Sequence, residues 1–129
     1  MDLIENIRND LFAKYIGVEL IQVEEGYAKA EMEIKQIHLN GVGMVQGGAI
    51  FTLADYAFAA ASNSKGTVTV GINNNISYIK SPKGKKLIAT AKEVSYGRKI
   101  CTYTVDVTDE NGELIAQMNA MGYIRQPKI

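Results

Sequence analysis

Two stretches of the chain alternate between apolar and polar side chains with the two-residue period of a β-strand. Residues 27–34 alternate apolar and charged side chains, and residues 99–108 alternate apolar side chains largely with threonine and aspartate. Such a period places one face of a strand on a core and the other face in solvent. Four further strands are predicted over residues 18–23, 67–80, 86–96 and 113–124.

Helical patterns occupy two other places. From Gly47 to about Asn63 the chain is rich in alanine and apolar on nearly all sides, which is typical of a buried helix. Polar residues interrupt this segment, so it is not expected to span a membrane. Near the N-terminus, bulky apolar residues recur at helical spacing and a glycine follows them, which predicts one short amphipathic helix. These residues are Leu3, Ile4, Ile7, Leu11 and Phe12, followed by Gly17.

The order of these elements indicates an α+β protein. Turn residues at 24–26, 82–84, 97–98 and 109–112 separate consecutive strands, and such short connections produce a mostly antiparallel sheet. One long apolar helix lying on that sheet makes an α+β fold. An uncovered edge of the sheet can pair with a second copy of the chain. A length of 129 residues predicts one domain over 1–129.

Composition narrows the possible functions. The 14 Lys and Arg residues balance the 14 Asp and Glu residues, which argues against a dedicated nucleic-acid binder. A single cysteine, Cys101, cannot form an internal disulfide, and with the single histidine, His38, it cannot build a standard zinc site. We therefore expect no metal. The first residues lack the features of a signal peptide, so a cytoplasmic location is expected.

The zero net charge conceals an uneven distribution. Residues 36–64 carry one formal charge, Asp55, whereas residues 65–100 carry eight bases and one acid. A carboxylate inside a core is costly unless it is paired or protonated. Helical spacing places small or polar residues beside Asp55 and larger apolar residues on the opposite side. The Asp55 side comprises Gly48, Thr52, Ala59 and Ser62, flanked by Phe51 and Phe58; the other side comprises Ile50, Leu53, Ala57 and Ala60.

Two interpretations of Asp55 remain open at this point. A structural carboxylate would be satisfied by nearby hydroxyl groups or by a partner chain, and the protein would then be a ligand-binding module with an apolar pocket. Alternatively, Asp55 acts as a base or nucleophile. The glycine-rich segment 40–48 precedes the helix, and the free N–H groups of a helix start favour negative charge that develops in a reaction. A glycine-rich segment alone is weak evidence for such a catalytic site.

The segment from His38 to Asp55 resembles the signature of hotdog-fold thioesterases of the phenylacetic-acid pathway (PaaI) type. It contains Asn40-Gly41, Gly47-Gly48 and Leu53-Ala54-Asp55. The resemblance extends from about Tyr15 to Ile124. Further matching segments are Tyr78–Pro82, Leu87–Ala91, Gly97-Arg98, Asp109–Gly112 and Ile115-Ala116.

The resemblance implies a curved antiparallel sheet wrapped around one long central helix. It implies hydrolysis of an acyl-CoA to the free acid and CoA, at sites on the interface of a homodimer, often paired into a homotetramer. No cofactor is implied, because coenzyme A is part of the substrate. Asp55 falls on the family's catalytic carboxylate, a base or nucleophile. Gly47 falls on the backbone N–H that polarises the carbonyl, and Asn40 on the side chain that orients substrate or water.

One position departs from the family pattern, because Gln46 stands where the family has histidine before Gly-Gly. Glutamine can donate a hydrogen bond to a carbonyl, but it does not titrate near neutral pH. A role in placing substrate is therefore retained, while proton transfer is not. A non-catalytic acyl-CoA binder or sensor on the same fold is the main alternative, and a dehydratase is a weaker one. His38 is expected to be a loop residue without a catalytic role.

Other residues are candidates for contact with substrate. The basic residues of segment 65–100 cluster at two predicted turns, where they could meet the phosphates of CoA. Among them, Arg98 and Lys99 are the candidates for this contact. Gly48 and Thr52 share the Asp55 side of the helix. Aromatic residues could shape an acyl pocket or belong to the core, and they are Phe51, Tyr56, Phe58 and Tyr78. Cys101 is expected to be a packed strand residue.

Overall fold

The computed structural model describes residues 2–125, so Met1 and residues 126–129 of the predicted 1–129 domain lie outside the described part. Three α-helices and six strands are present in this part, together with a short 3-10 helix at Gln36–His38. The helices are α1 (Leu3–Arg8), α2 (Leu11–Ile16) and α3 (Gly47–Ser62); the strands are β1 (Val18–Glu24), β2 (Tyr27–Glu33), β3 (Thr69–Tyr78), β4 (Lys86–Tyr96), β5 (Ile100–Asp109) and β6 (Leu114–Ile124).

The six strands form one antiparallel sheet in the order β1-β2-β4-β5-β6-β3. Strands β1 and β3 are therefore its two edges. Helix α3 lies across the sheet and contacts every strand, most extensively β2 and β4. The predicted α+β class, with one long helix against a mostly antiparallel sheet, is confirmed.

Alanine lets α3 approach the sheet closely. The predicted sheet side of α3 is buried, since Leu53, Ala57 and Ala60 have no exposed surface and Ile50 is 4% exposed. Small side chains on β2 and β4 face this helix and leave room for its larger residues. They are Ala28, Ala30, Ala89 and Ala91, all completely buried.

The N-terminal segment differs from the prediction, because it forms two short helices and not one. Asp10 interrupts the segment, and its Oδ1 accepts a hydrogen bond from the N–H of Ala13 at 3.0 Å. Aspartate at this position caps a new helix start. The apolar spacing continues across the break, which is why periodicity alone did not reveal it. Gly17 ends α2 with a φ of 84°, in the left-handed region that glycine adopts without strain.

Helix α3 is not buried on all sides within one chain, which corrects the expectation of a fully buried helix. Phe51, Thr52, Asp55 and Ala59 form a half-buried stripe on its side away from the sheet. Two residues assigned to that side belong to the core instead. Phe58 is 2% exposed and Ser62 is completely buried, and the Phe58 ring packs edge-on against the Tyr103 ring at 5.6 Å. Phe58 therefore lies in the core, not in an acyl pocket.

None of the helices within residues 2–125 is both long enough and apolar enough to cross a lipid bilayer. Over the same residues, no three His, Cys, Asp or Glu side chains gather into a group that could hold a metal ion. Cys101 is buried on β5 with its Sγ directed at the carbonyl of Gly122.

Candidate active site

Asp55 lies at the middle of α3, beside a cavity of about 150 Å³. The walls come from two helices. From α3 they are Phe51, Thr52, Tyr56 and Ala59, and from α2 and its N-cap they are Phe12, Ala13 and Asp10. The cavity is thus bounded on one side by α2 and its N-cap, which the sequence did not connect with Asp55.

The environment of Asp55 makes its carboxyl group a weaker acid than usual. Burial raises the pKa of Asp55 because desolvation disfavours the charged form, and the nearby charge of Asp10 raises it further. Opposing them is a hydrogen bond from Asn74 Nδ2 to Asp55 Oδ1 at 3.4 Å, which lowers the pKa. A carboxylate with this balance is suited to accept a proton.

Asn74 is a site residue that was not predicted from the sequence. It lies on the edge strand β3 and faces α3, 19 residues from Asp55 along the chain. Within residues 2–125, its Oδ1 is buried and has no hydrogen-bond partner. The available signal was local: asparagine is unfavourable in strands, yet Asn73, Asn74 and Asn75 stand consecutively in β3.

The start of α3 presents free backbone donors. The first N–H groups of a helix have no partner within it, and here they belong to Gly47 and Gly48. Tyr78 lies against this turn and donates from its Oη to the carbonyl of Gly47 at 3.0 Å. A Cβ on Gly47 would lie 3.1 Å from Cζ of Tyr78. A side chain at position 47 would therefore require the Tyr78 ring to shift by a few tenths of an ångström.

Gln46 and Asn40 shape the approach to this turn. The Gln46 side chain is exposed and makes no capping hydrogen bond, so its amide can reach a carbonyl. Asn40 holds the loop through its Oδ1, which accepts from the N–H groups of Val42 and Met44 at 3.0 Å each. Only the NH₂ group of Asn40 is left to turn towards a substrate.

A second cavity, of about 370 Å³, adjoins the start of α3. Gly47 and Tyr78 line it together with Ile50, Lys80 and Pro82. Of the four aromatic residues considered for a pocket, Tyr78 lines this cavity and Phe51 and Tyr56 line the Asp55 cavity.

His38 has a structural role. The ring is 2% exposed, and its Nδ1 accepts from the N–H of Lys35 at 2.9 Å. The other nitrogen, Nε2, therefore carries the proton and donates to the carbonyl of Ile16 at 2.6 Å. His38 thereby ties the end of α2 to the loop before α3.

The two parts of the predicted site are not adjacent within one chain. Asp55 follows Gly47 by eight residues of continuous helix, which corresponds to about 12 Å along the axis. A carbonyl that is bonded to the Gly47 N–H could not be reached by a water molecule that is bonded to Asp55 of the same chain.

Arg98 and Lys99 lie at the other end of the molecule from Gly47. Their turn joins β4 to β5 beside Ile100, which pairs with Tyr123 of β6, close to where β6 meets the start of β3. That start is bonded to Asn63, the C-cap of α3. The two ends of α3 are about 24 Å apart, so the two basic turns form no single patch within one chain.

Acidic side chains also offset the lysines near the start of α3. Lys80 pairs with Glu113 and Lys86 pairs with Glu31, each at 3.4 Å. The Glu110 carboxylate accepts from the backbone N–H of Lys85 at 2.9 Å. The excess positive charge counted along residues 65–100 is therefore partly neutralised by acids that tertiary contacts bring alongside.

Comparison with known proteins identifies the family. The family model described as Thioesterase superfamily matches residues 42–116, more than half of the chain. The chain is 44% identical over 110 residues to an Archaeoglobus fulgidus protein that is named only as an esterase. The match covers 84% of this chain and 71% of that protein. It is 33% identical over 109 residues to the acyl-coenzyme A thioesterase PaaI of Escherichia coli, covering 84% and 78% respectively.

The solved structure of E. coli PaaI superposes with a TM-score of 0.91 at 28% identity, covering 97% of this chain and 91% of that one. Fold and sequence agree on the same relatives. The chain belongs to the thioesterase superfamily, among the PaaI-like acyl-CoA thioesterases with the hotdog fold.

Proposed function

We propose that this protein hydrolyses an aryl or medium-chain acyl-CoA to the free acid and CoA, with Asp55 as general base. The observation that carries the proposal is the position of Asp55. It is the one formal charge on α3, it is half-buried, and it borders a cavity large enough for part of an acyl group.

In the proposed reaction, Asp55 removes a proton from a water molecule as its oxygen attacks the thioester carbonyl carbon. The carbonyl oxygen becomes negatively charged, and the Gly47 N–H at the start of α3 stabilises it. The tetrahedral intermediate then collapses, the C–S bond breaks, and protonated Asp55 returns its proton to the leaving thiolate. Gln46 and Asn40 donate hydrogen bonds that orient the carbonyl. A nucleophilic role for Asp55 would instead require an anhydride intermediate.

Two chains are needed for this reaction, because Asp55 and Gly47 of one chain are about 12 Å apart along α3. We propose a homodimer in which Asp55 of one protomer meets Gly47 of its partner. The free edge of the sheet supports this arrangement. Within residues 2–125, strand β3 has a pairing partner on one side only. Val70 and Ile72 on it are 46% and 52% exposed, which is typical of an edge that associates. Further pairing into a homotetramer is part of the same proposal.

The size of the Asp55 cavity supports the proposed substrate class. A protein cavity of about 150 Å³ accommodates one benzene ring, and the cavity here has that volume. Phe12 and Phe51 supply aromatic walls. An aryl group or a medium-length aliphatic chain fits such a space. Because Arg98 and Lys99 lie far from Gly47 of their own chain, we propose that they contact the phosphates of CoA from the subunit that does not supply Gly47.

A thiol-release assay on a panel of aryl- and fatty-acyl-CoAs tests the proposal. We expect turnover by the native protein and a loss of about a hundredfold or more in kcat for Asp55→Asn. Asp106→Asn is the matched control, because Asp106 lies on the outer face of β5, bonded to Gln117, and it should retain activity. Equal activity of Asp55→Asn and the native protein would refute the mechanism.

Thermal unfolding distinguishes lost chemistry from lost folding in the same variant. Since burial raises the pKa of Asp55 above its unfolded value, its contribution to stability is present below the unfolded pKa and disappears as the pH rises through the folded pKa. At neutral pH the ionised group therefore destabilises the fold. Asp55→Asn should raise Tm at pH 7, and a lower Tm would contradict this account.

The second candidate is a non-catalytic acyl-CoA binder, favoured by Gln46 in place of the family histidine. Calorimetry with the same CoA esters separates the two functions. Saturable binding without thiol release by the native protein would select the binder, whereas binding with turnover selects the enzyme.

A further inference from the structure

We infer that Phe12 on α2 is a specificity-determining residue that limits the size of the acyl group beside Asp55. The inference rests on the proposed function, since it concerns the same cavity. It goes further by assigning selectivity to the N-terminal helices, which lie outside the segment that matches the family model, residues 42–116.

The wall that carries Phe12 is held in place at both ends. Before α2, the carbonyl of Ile7 accepts a hydrogen bond from Tyr56 Oη of α3 at 3.0 Å. At the end of α2, the carbonyl of Ile16 accepts from His38 Nε2 at 2.6 Å. Between these two points Ala13 is 2% exposed and packs in the core. Helix α2 is thereby a fixed wall of the cavity.

Within this wall, Phe12 is the large side chain that lines the Asp55 cavity. Its neighbours Asp10 and Ala13 also line it but are smaller, whereas Leu11 and Tyr15 are 80% and 83% exposed and do not line it. Phe12 itself is 64% exposed within one chain, so its ring is not packed into the core.

An aromatic ring on a fixed wall acts on selectivity in two ways. It adds apolar contact area for an acyl group that fits the cavity, and it excludes a group that is too long. A wall that could move would lose the second effect, because it would yield to a larger ligand. The two hydrogen bonds to the backbone of the N-terminal segment therefore contribute to selectivity, and Tyr56 and His38 are positioning residues for Phe12.

The experiment compares Phe12→Ala with Leu11→Ala across a series of straight-chain acyl-CoAs from acetyl to dodecanoyl, with phenylacetyl-CoA as the aryl probe. For Phe12→Ala we expect kcat/KM for phenylacetyl-CoA to fall about tenfold and the preferred chain length to move to longer acyl groups. Leu11→Ala, altered one residue away on the same helix, should keep the native profile. An unchanged profile in Phe12→Ala, or the same change in both variants, overturns the inference.

A second readout keeps this inference separate from the proposed function. The dissociation constants of non-hydrolysable thioether analogues of the same series are measured by calorimetry for the native protein and both variants. Absence of turnover in the native protein would refute the proposed function alone. A selective shift in affinity towards longer analogues in Phe12→Ala would still support Phe12 as the selectivity residue, and an unshifted series would overturn it.

Tyr56→Phe tests whether the wall must be fixed. This variant keeps the ring in the core but removes the hydrogen bond to the Ile7 carbonyl. We expect the preference among chain lengths to become broader, with KM for long acyl-CoAs falling more than kcat changes. A profile as sharp as that of the native protein would show that this anchor does not act through Phe12.

Discussion

Among single residues, Asp55 is central to the proposed chemistry, and its pKa is subject to opposing effects. Burial and the neighbouring Asp10 disfavour its charge, while one hydrogen bond from Asn74 favours it. A base must be ionised to act, so the pH at which activity begins depends on this balance. Asn74 is thereby expected to control the working pH range, although it lies outside the segment from His38 to Asp55 that carries the family resemblance.

Replacement of Asn74 tests this control. In Asn74→Ala the lost hydrogen bond should raise the pKa of Asp55 further, because the bond stabilises the charged form. The acid limb of kcat/KM against pH should move to higher pH, with a smaller change on the plateau. Asn75→Ala is the matched control, since Asn75 is exposed on the other face of β3. Identical acid limbs in the two variants would show that Asn74 does not tune Asp55.

At the scale of elements, the two functional parts of α3 have different requirements. Its middle carries the carboxylate, while its first turn supplies free backbone N–H groups that need close packing against Tyr78. Both glycines in that turn could be explained by flexibility, but the contacts distinguish them. A Cβ on Gly47 meets the Tyr78 ring at 3.1 Å, whereas a Cβ on Gly48 meets only the end of Gln46, at 3.6 Å.

A pair of alanine substitutions tests this distinction. Gly47→Ala should displace Tyr78 and tilt the first turn of α3, with a loss of about ten- to a hundredfold in kcat/KM. Gly48→Ala should lose less activity than Gly47→Ala, because its Cβ enters ordinary van der Waals contact within the chain. Steady-state kinetics on one acyl-CoA measures both. The interpretation is wrong if Gly48→Ala is impaired as severely as Gly47→Ala.

At the scale of the whole molecule, the proposed site is completed by a second chain. The separation of Asp55 from Gly47 follows from the helix rise and does not depend on side-chain placement. The same reasoning applies to Arg98 and Lys99, which lie at the opposite end of the sheet from Gly47. A dimer with two-fold symmetry can bring the middle of one α3 to the start of another.

Subunit complementation tests the shared site. Asp55→Asn and Gly47→Val are each expected to be nearly inactive alone. In a hybrid dimer, one site combines both substitutions and the other combines Asp55 and Gly47 from the two chains. Refolding an equimolar mixture should therefore recover about a quarter of the native activity, since half of the dimers are hybrids with one intact site. A mixture no more active than its parents would place the whole site within one chain.

Most of the helices and strands, and the resemblance to the family, could be predicted from the sequence alone. Two-residue alternation marked β2 and β5, alanine content marked α3, and the absence of other charges isolated Asp55. These properties are local, because the direction of a side chain within a helix or strand follows from backbone geometry alone. The break between α1 and α2 was missed because the apolar spacing runs through the Asp10 cap.

Which of these residues lie in contact depends on how the elements pack together. Asn74 reaches Asp55 from another element, α2 closes the Asp55 cavity, and His38 anchors Ile16 across 22 residues. The tertiary structure also shows that Arg98 lies far from Gly47 and that Phe58 belongs to the core. The physical reason is that contacts between elements depend on how the helices pack on the sheet and on strand order, and neither is encoded in the period of any single segment.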